Sequence, residues 1–210
     1  MKHEERLHST EERLLKRIVA KGEGWAFSAK DFTDLVPRRT IDSSLHRLTK
    51  WGSIRRVMTG VYDLPVQSQV LRRAIAPDID QVAQALARKF GWEIQASGPS
   101  AQNLIGLSNQ VPAKFIYLSD GPKRRYNVGA ATLQFERTAL KDARFKLRES
   151  SLLVQAIKDL EPSAIDAAVV RKLRAWLKPE LRSRVRKDTQ IVTGWVHEVI
   201  RRVTEESARG

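Results

Sequence analysis

The amino-acid sequence predicts an α+β fold, with a helical N-terminal part that ends in a β-hairpin and a mixed C-terminal part. Two observations predict this class. Apolar residues recur at helical spacing in three short segments before residue 52, and two β-prone segments follow on either side of Thr59-Gly60. After residue 73, a small sheet followed by a helical tail is expected, because strand-like segments precede a long helical stretch that begins near Glu149.

The first two helices are predicted from their capping residues and apolar spacing. Ser9 and Thr10 precede acids and a stripe of apolar residues, and Gly22 ends this segment. Ser28 is placed to cap a second, shorter helix over residues 29–36, which Pro37 ends.

The third helix is predicted over residues 38–51. Its apolar residues are spaced by four, three and three positions, which predicts one buried stripe made of Ile41, Leu45, Leu48 and Trp51. Gly52 ends this helix, and residues 53–58 and 61–64 form a predicted hairpin around Thr59-Gly60. Three short helices followed directly by a hairpin are typical of a winged helix-turn-helix, whose third helix enters the major groove of DNA.

The domain boundary is predicted near Arg72, which gives a winged helix-turn-helix domain over residues 1–72 and a mixed domain over 73–210. Residues 66–79 are expected to form a connection with one short helical piece. The mixed domain begins with a helix over 80–90, followed by strands over 92–96 and 113–119 and a hairpin over 124–128 and 132–137. Helices are expected over 149–160, 165–177, 179–187 and 189–204.

The balance of charges favours a polyanionic partner. The chain has 38 Lys and Arg against 24 Asp and Glu, a net charge of +14. Residues 38–56 contain one acid, Asp42, and six basic residues, and two more basic stretches over 123–148 and 171–187 have no explanation in this motif. A basic surface that binds only solvent is the alternative interpretation.

We expect the polar residues of the third helix and the hairpin to contact duplex DNA, because hydroxyl and guanidinium groups bind base edges and phosphates. Those predicted to face the major groove are Arg39, Thr40, Ser43, Ser44 and Arg47. Arg38 and Lys50 are predicted to contact flanking phosphates. Arg55 and Arg56 are predicted to hold the hairpin on the backbone or in the minor groove. His46 is either a further phosphate contact or a solvent-facing bystander.

Several kinds of chemistry are unsupported by the sequence. With no cysteine, the chain has no disulfide, thiolate metal site or cysteine nucleophile. None of the four histidines has a partner at metal-ligand spacing, so we expect no metal, no cofactor and no catalytic residues. The apolar runs are too short to cross a membrane and the N-terminus is charged, which predicts a cytoplasmic protein without a membrane partner.

A nucleotidyl transferase or nuclease is the enzymatic alternative. It would use Asp78 and Asp80 as metal-binding carboxylates and the turn ending at Ser100 as a phosphate cradle. The aspartates precede the turn, the reverse of the order in that enzyme class. Because they also stand at a predicted helix start, we expect them to cap the helix instead.

Two segments resemble a known family. Leu45-His46-Arg47-Leu48-Thr49-Lys50-Trp51-Gly52-Ser53-Ile54-Arg55-Arg56-Val57-Met58-Thr59-Gly60-Val61-Tyr62-Asp63 resembles the winged-helix signature of AbiEi-type antitoxins, which belong to type IV toxin-antitoxin systems linked to abortive phage infection. Ala96-Ser97-Gly98-Pro99-Ser100-Ala101-Gln102-Asn103-Leu104-Ile105-Gly106-Leu107-Ser108-Asn109-Gln110-Val111-Pro112 is similar to the central segment of the DUF6088 branch of that group.

The resemblance implies a protein with two tasks. The N-terminal domain would bind inverted repeats in the promoter of its own operon and repress transcription. The C-terminal domain would counter a toxin that resembles a nucleotidyl transferase, without forming a stable complex with it. The alternative is a basic winged-helix protein that binds an acidic protein or RNA without operator specificity.

Overall fold

The structure is a computed structural model that describes residues 2–108, 112–138 and 145–205. It confirms the α+β class predicted from the sequence. The chain divides into two compact units, the first formed by the chain up to Trp92 with Tyr126–Ala130, and the second by the remainder. No helix among the described residues is both long enough and apolar enough to cross a membrane.

The first unit contains three α-helices, a 3₁₀ helix and two small antiparallel sheets within the described residues. In chain order, its elements are α1 (Lys2–Lys21), β1 (Ala26–Phe27), a 3₁₀ helix (Ala29–Phe32), α2 (Arg38–Lys50), β2 (Arg55–Met58), β3 (Val61–Asp63), β4 (Gln67–Ser68), β5 (Arg73–Ala74) and α3 (Ile79–Phe90). Strands β1, β3 and β2 form one sheet in that spatial order, so β3 is central. The two-residue strand β1 is too short to be predicted from side-chain alternation.

One apolar core joins the helices of this unit. Buried residues of α1, the 3₁₀ helix and α2 meet there, including Leu14, Ile18, Phe27, Phe32, Ile41, Leu45 and Leu48. Trp51, predicted to complete the buried stripe of α2, is 54% exposed. That prediction is wrong because α2 ends at Lys50 and Trp51 is its C-cap residue. Ile54, three residues later, is buried in the core.

The second predicted helix is shorter than expected. A capping box begins it, in which Asp31 Oδ2 accepts the backbone N–H of Ser28 at 2.8 Å and Ser28 Oγ accepts that of Lys30 at 3.3 Å. The element ends after one 3₁₀ turn at Phe32, four residues before the predicted end. Pro37 restricts the backbone of the residue before it, which opposes helix continuation there.

The segment after β3 differs most from its prediction. Residues 66–79 were expected to hold a short helical piece, and they instead form the separate hairpin β4–β5. The predicted boundary at Arg72 falls inside the first unit, because α3 packs on β1 and the 3₁₀ helix. Arg88 of α3 anchors it there, with Nε 2.6 Å from Asp31 Oδ1 and Nη2 donating to the Ala26 carbonyl at 2.8 Å.

The second unit contains a mixed sheet and a set of helices. The elements after Trp92, in chain order, are β6 (Ile94–Ala96), α4 (Gly98–Leu104), β7 (Lys114–Ser119), β8 (Arg124–Val128), β9 (Ala131–Arg137), α5 (Arg148–Lys158), α6 (Ala167–Trp176), α7 (Arg182–Asp188) and α8 (Gly194–Thr204). Of these, only the last three residues of β8, 126–128, are counted with the first unit. Short 3₁₀ helices occupy Pro162–Ala164 and Pro179–Leu181. The spatial order of the strands is β6-β7-β9-β8, with β6 antiparallel and β9 parallel to β7.

The inner residues of the two central strands form the core of this unit. Tyr117 of β7 and Phe135 of β9 are buried in register with each other, and their ring centroids lie 6.0 Å apart. Helix α5 contributes a further buried face that includes Leu153 and Ile157. These elements match the predicted strands and helices closely, since each has clear apolar periodicity.

Candidate nucleic-acid interface

Helix α2 presents one exposed polar stripe opposite its buried side. The stripe consists of Arg39, Ser43, His46 and Lys50, spaced by four, three and four residues. Such spacing places them on a single face of a helix. Arg39 and Lys50 are exposed, and within the described part of the chain they have no hydrogen-bond or ion-pair partner.

Ser44 and Arg47 do not belong to this stripe. The prediction that Ser44 faces the groove is wrong, and Arg47, which is also predicted to face the groove, is engaged elsewhere. Ser44 is fully buried. Arg47 is turned toward α1, where its Nε donates to Glu11 Oε1 at 2.7 Å and its Nη2 donates to Ser44 Oγ at 3.1 Å. The side chain of Glu11 is 3% exposed, so the pair holds α1 against α2 below the surface.

The charge of Glu11 is stabilised by this network. Burial raises the pKa of Glu11, but hydrogen bonds from Ser44 and Arg47 outweigh burial and hold the pKa below its ordinary value. Glu11 is therefore ionised at neutral pH and keeps the Arg47 guanidinium engaged.

The first turn of α2 remains at the surface. Arg38 is exposed and its Nε lies 3.2 Å from Asp42 Oδ2, an ion pair that contributes little to stability in water. Thr40 is half-buried, and its carbonyl accepts a hydrogen bond of 2.9 Å from Ser43 Oγ. Arg38 can exchange this partner for a phosphate.

The two arginines of β2 have different surroundings. Arg55 forms a two-pronged ion pair with Asp63, with Nε 3.0 Å from Oδ1 and Nη2 2.5 Å from Oδ2, and it also donates to the Ile75 carbonyl. Asp63 is buried, so Arg55, which the sequence predicts to contact DNA, uses its guanidinium to stabilise the hairpin. Arg56 is exposed, and its Nη2 lies 3.4 Å from Thr59 Oγ1.

Lys89, near the end of α3, is a basic residue of this surface that the sequence did not indicate. Its Nζ donates to the Thr59 carbonyl at 3.1 Å, and a β-carbon placed on Gly60 would be 2.8 Å from the same nitrogen. Partial burial and then the positive charge of Arg38 lower the pKa of Lys89. Arg56 and Lys89 thus both contact Thr59, in the turn between β2 and β3.

The residues of the alternative enzymatic site have structural roles. Asp78 caps α3, since its Oδ1 accepts the backbone N–H groups of Asp80 at 2.9 Å and Gln81 at 3.2 Å. Asp80 is buried. Ser100 lies in the second unit, where its Oγ accepts the Ile116 N–H at 2.8 Å. Among the described residues, no group of three or more His, Asp or Glu is arranged to hold a metal ion.

Part of the C-terminal basic charge is also structural. Arg174 donates to the carbonyls of Arg202 and Val203 at the end of α8, and Lys123 lies 3.0 Å from Glu136. The exposed cations of residues 171–187 are Arg171, Lys172, Lys178, Arg184, Arg186 and Lys187. Within the other stretch, residues 139–144 lie outside the described range.

Comparisons with known proteins place the chain in a family without a known function. No curated protein matches it. Among solved structures, it is similar to the RV2827C protein from Mycobacterium tuberculosis, with 16% identity over 92% of this chain and 75% of that chain and a TM-score of 0.39. The family of unknown function DUF6088 matches residues 13–185. Because that match spans most of its length, the chain is a member of the DUF6088 family.

Proposed function

We propose that this protein is a DNA-binding transcriptional repressor whose first unit is a winged helix-turn-helix domain. The observation that carries the proposal is the exposed stripe of α2, where Arg39, Ser43, His46 and Lys50 project away from the core. A helix supported on one side by an apolar core and lined on the other with cations and hydroxyls suits insertion into the major groove.

The order of elements supports the same proposal. In a winged helix-turn-helix domain, a hairpin follows the third helix and contacts the DNA backbone or minor groove beside it. Here α1, the 3₁₀ helix and α2 are followed directly by β2 and β3, with β1 as the third strand. Arg56 and Lys89 at the hairpin turn supply positive charge where a wing would meet phosphates.

We assign the contacts as follows. The base contacts are made near the start of α2, by Arg39, Thr40 and Ser43. Arg38 and Lys50 bind flanking phosphates, and His46 is a further polar contact on the same stripe. Arg56 and Lys89 bind the backbone next to the wing. Ser44, Arg47 and Arg55 are excluded from the interface because their hydrogen-bonding groups are used inside the unit.

Fluorescence anisotropy with the promoter of the protein's own operon tests this assignment. A labelled promoter duplex and a shuffled duplex of equal composition are titrated with the wild-type chain and with Arg39→Ala. A base contact by Arg39 predicts a loss of specific affinity by about tenfold or more, with little change on the shuffled duplex. The matched control is Lys16→Ala, which removes an exposed charge from α1.

Two results would contradict the proposal. One is equal binding of both duplexes by the wild-type chain, which would favour a basic protein that binds an acidic protein or RNA without operator specificity. The other is equal promoter affinity for wild type and for a combined Arg39→Ala, Ser43→Ala and Lys50→Ala variant, with circular dichroism showing that the variant is folded.

We further propose that the protein is the antitoxin of a type IV toxin-antitoxin system, acting in the cytoplasm and countering a nucleotidyltransferase-like toxin without a stable complex. The support is the resemblance of residues 45–63 and 96–112 to AbiEi-type antitoxins. Co-expression with the neighbouring reading frame tests it. Growth arrest by that frame alone, relieved by this chain, is the expected result. Arrest that persists in the presence of the folded chain would refute the antitoxin role.

A further inference from the structure

The hairpin β4–β5 holds two adjacent apolar side chains in solvent. Val70 is 92% exposed and Leu71 is 56% exposed, and both lie in the turn between the strands. Arg72 follows with φ of +50°, a left-handed conformation that is unfavourable for a non-glycine residue. Arg73 is also exposed. Neighbouring apolar residues at an exposed tip indicate a contact surface, because a solvated turn normally has polar residues there.

The base of this hairpin is fixed in the first unit. The Ile75 N–H donates to the Val66 carbonyl at 3.0 Å, and Arg55 Nη1 donates to the Ile75 carbonyl at 2.7 Å. The Leu71 N–H donates to Ser68 Oγ at 3.0 Å, which supports the turn itself. Among the described residues, β4 and β5 pair only with each other, so each strand has an outer edge that another strand can join.

A cavity of about 500 Å³ lies at the base of the same hairpin. Trp25, Val66 and Ile75 supply its apolar lining. Two acids, Glu23 and Asp78, also line it, together with one lysine, Lys21, and the Arg55–Asp63 pair. A recess lined by both apolar side chains and carboxylates suits a segment in which apolar residues are followed by arginines.

We propose that two copies of this chain associate by inserting the tip of each hairpin, Val70 and Leu71, into the cavity at the base of the other. Two hairpins that lie side by side in opposite directions bring each tip to the partner's base. Both contacts then form together around one two-fold axis, which closes the assembly as a dimer. Arg72 and Arg73 are brought toward Glu23 and Asp78, and the outer hairpin strands can pair. The association involves no residue of the exposed stripe of α2 and does not depend on DNA binding.

The mass in solution, measured without DNA, is the first test. Light scattering and sedimentation equilibrium over a concentration series are expected to give the wild-type chain a mass that approaches twice 23.9 kDa. The double variant Val70→Asp, Leu71→Asp should remain at the single-chain mass with an unchanged circular dichroism spectrum. Ile191→Asp is the matched control, since Ile191 is 79% exposed in the second unit, and it should behave as wild type.

Cross-linking identifies the contact itself. Because the chain has no cysteine, introduced thiols are unique probes. Val70→Cys mixed with Glu23→Cys and oxidised mildly should give a disulfide-linked dimer well above the level of either variant alone. The control mixture is Val70→Cys with Glu161→Cys, an exposed position in the second unit, and it should give no such increase.

Three outcomes would overturn the proposal. A wild-type chain that stays monomeric throughout the series has no such interface. A double variant that dimerises like wild type shows that another surface is used. A monomeric wild-type chain that floats with phosphatidylserine vesicles, and loses this binding in the double variant, would assign the tip to a membrane surface. Because none of these measurements includes DNA, failure here is distinguishable from failure of the repressor proposal.

Discussion

Arg47 Nε donates a 2.7 Å hydrogen bond to Glu11 Oε1, which joins α1 to the helix proposed to bind DNA. Ser44 is buried beside them and binds the same guanidinium at 3.1 Å. Because of this network, Arg47, one of the basic residues of α2, has a structural role. The network also fixes the orientation of α2 relative to α1, because Glu11 belongs to α1 and Arg47 to α2.

The first prediction is that Glu11→Gln destabilises the protein at neutral pH by about 1.5 to 3 kcal/mol, the contribution of hydrogen bonds to a charged group. The folded-state pKa of Glu11 is lowered, so its stabilisation is complete above the unfolded-state pKa and is lost as the pH falls through the folded-state pKa. Urea unfolding of both proteins at pH 7 and near pH 3 measures this. If wild type and Glu11→Gln differ in unfolding free energy by the same amount at the two pH values, the prediction is contradicted.

The second prediction concerns Arg55 and Arg56, neighbours with different roles. Arg55→Ala leaves the buried Asp63 carboxylate without its guanidinium and should cost about 3 kcal/mol of unfolding free energy. Arg56→Ala should change stability by less than about 0.5 kcal/mol, because its side chain is exposed. Their effects on DNA affinity should be the reverse. Under conditions where both variants are folded, Arg56→Ala should weaken DNA binding more than Arg55→Ala does. Thermal unfolding and anisotropy together measure both effects, and equal destabilisation by the two substitutions would refute the assignment.

The buried side of α2 could be predicted from the sequence in large part. Apolar spacing predicts α2 and its buried stripe, because a helix that packs on one side needs that period. The same spacing indicated that Ser44 is buried, since it lies three residues after Ile41 and four before Leu48. The signal was present, but serine is more often exposed than buried and its polarity favoured the opposite interpretation.

The pairing of Arg55 was not predictable in the same way. A regular two-residue turn at Thr59-Gly60 would place Arg55 opposite Leu64. A register shift between Arg56 and Met58 places it opposite Asp63 instead. Lys89 is thirty residues from Thr59 in sequence, and only the packing of α3 on the first unit brings it to the hairpin turn. Local patterns carry no information about such a contact.

The third prediction tests Lys89 as a phosphate contact. Lys89→Ala should weaken binding to the promoter and to a shuffled duplex by similar factors, because phosphates carry no sequence information. It should also reduce the slope of log affinity against log salt concentration by about 0.9. A salt titration of wild type, Lys89→Ala and the control Lys16→Ala measures both quantities. An unchanged slope would remove Lys89 from the interface.

The last prediction concerns Gly98, in the segment that resembles the DUF6088 pattern. A β-carbon at Gly98 would overlap the β-carbon of Asp159, at the end of α5, so α4 and α5 approach each other too closely there for any larger residue. Gln102 Nε2 also donates to Asp159 Oδ2 at 2.9 Å, which holds the two helices in this arrangement. Gly98→Ala should therefore destabilise the second unit by about 1 to 3 kcal/mol through overpacking.

A double-mutant cycle separates this clash from other effects of the substitution. Asp159→Gly removes the opposing β-carbon, so Gly98→Ala should cost much less in that background than in the wild type. Coupling of at least about 0.5 kcal/mol in urea unfolding is expected, as for residues in direct contact. If the two substitutions are additive, the glycine is needed for another reason, and a ligand that approaches the backbone at Gly98 becomes the alternative to test.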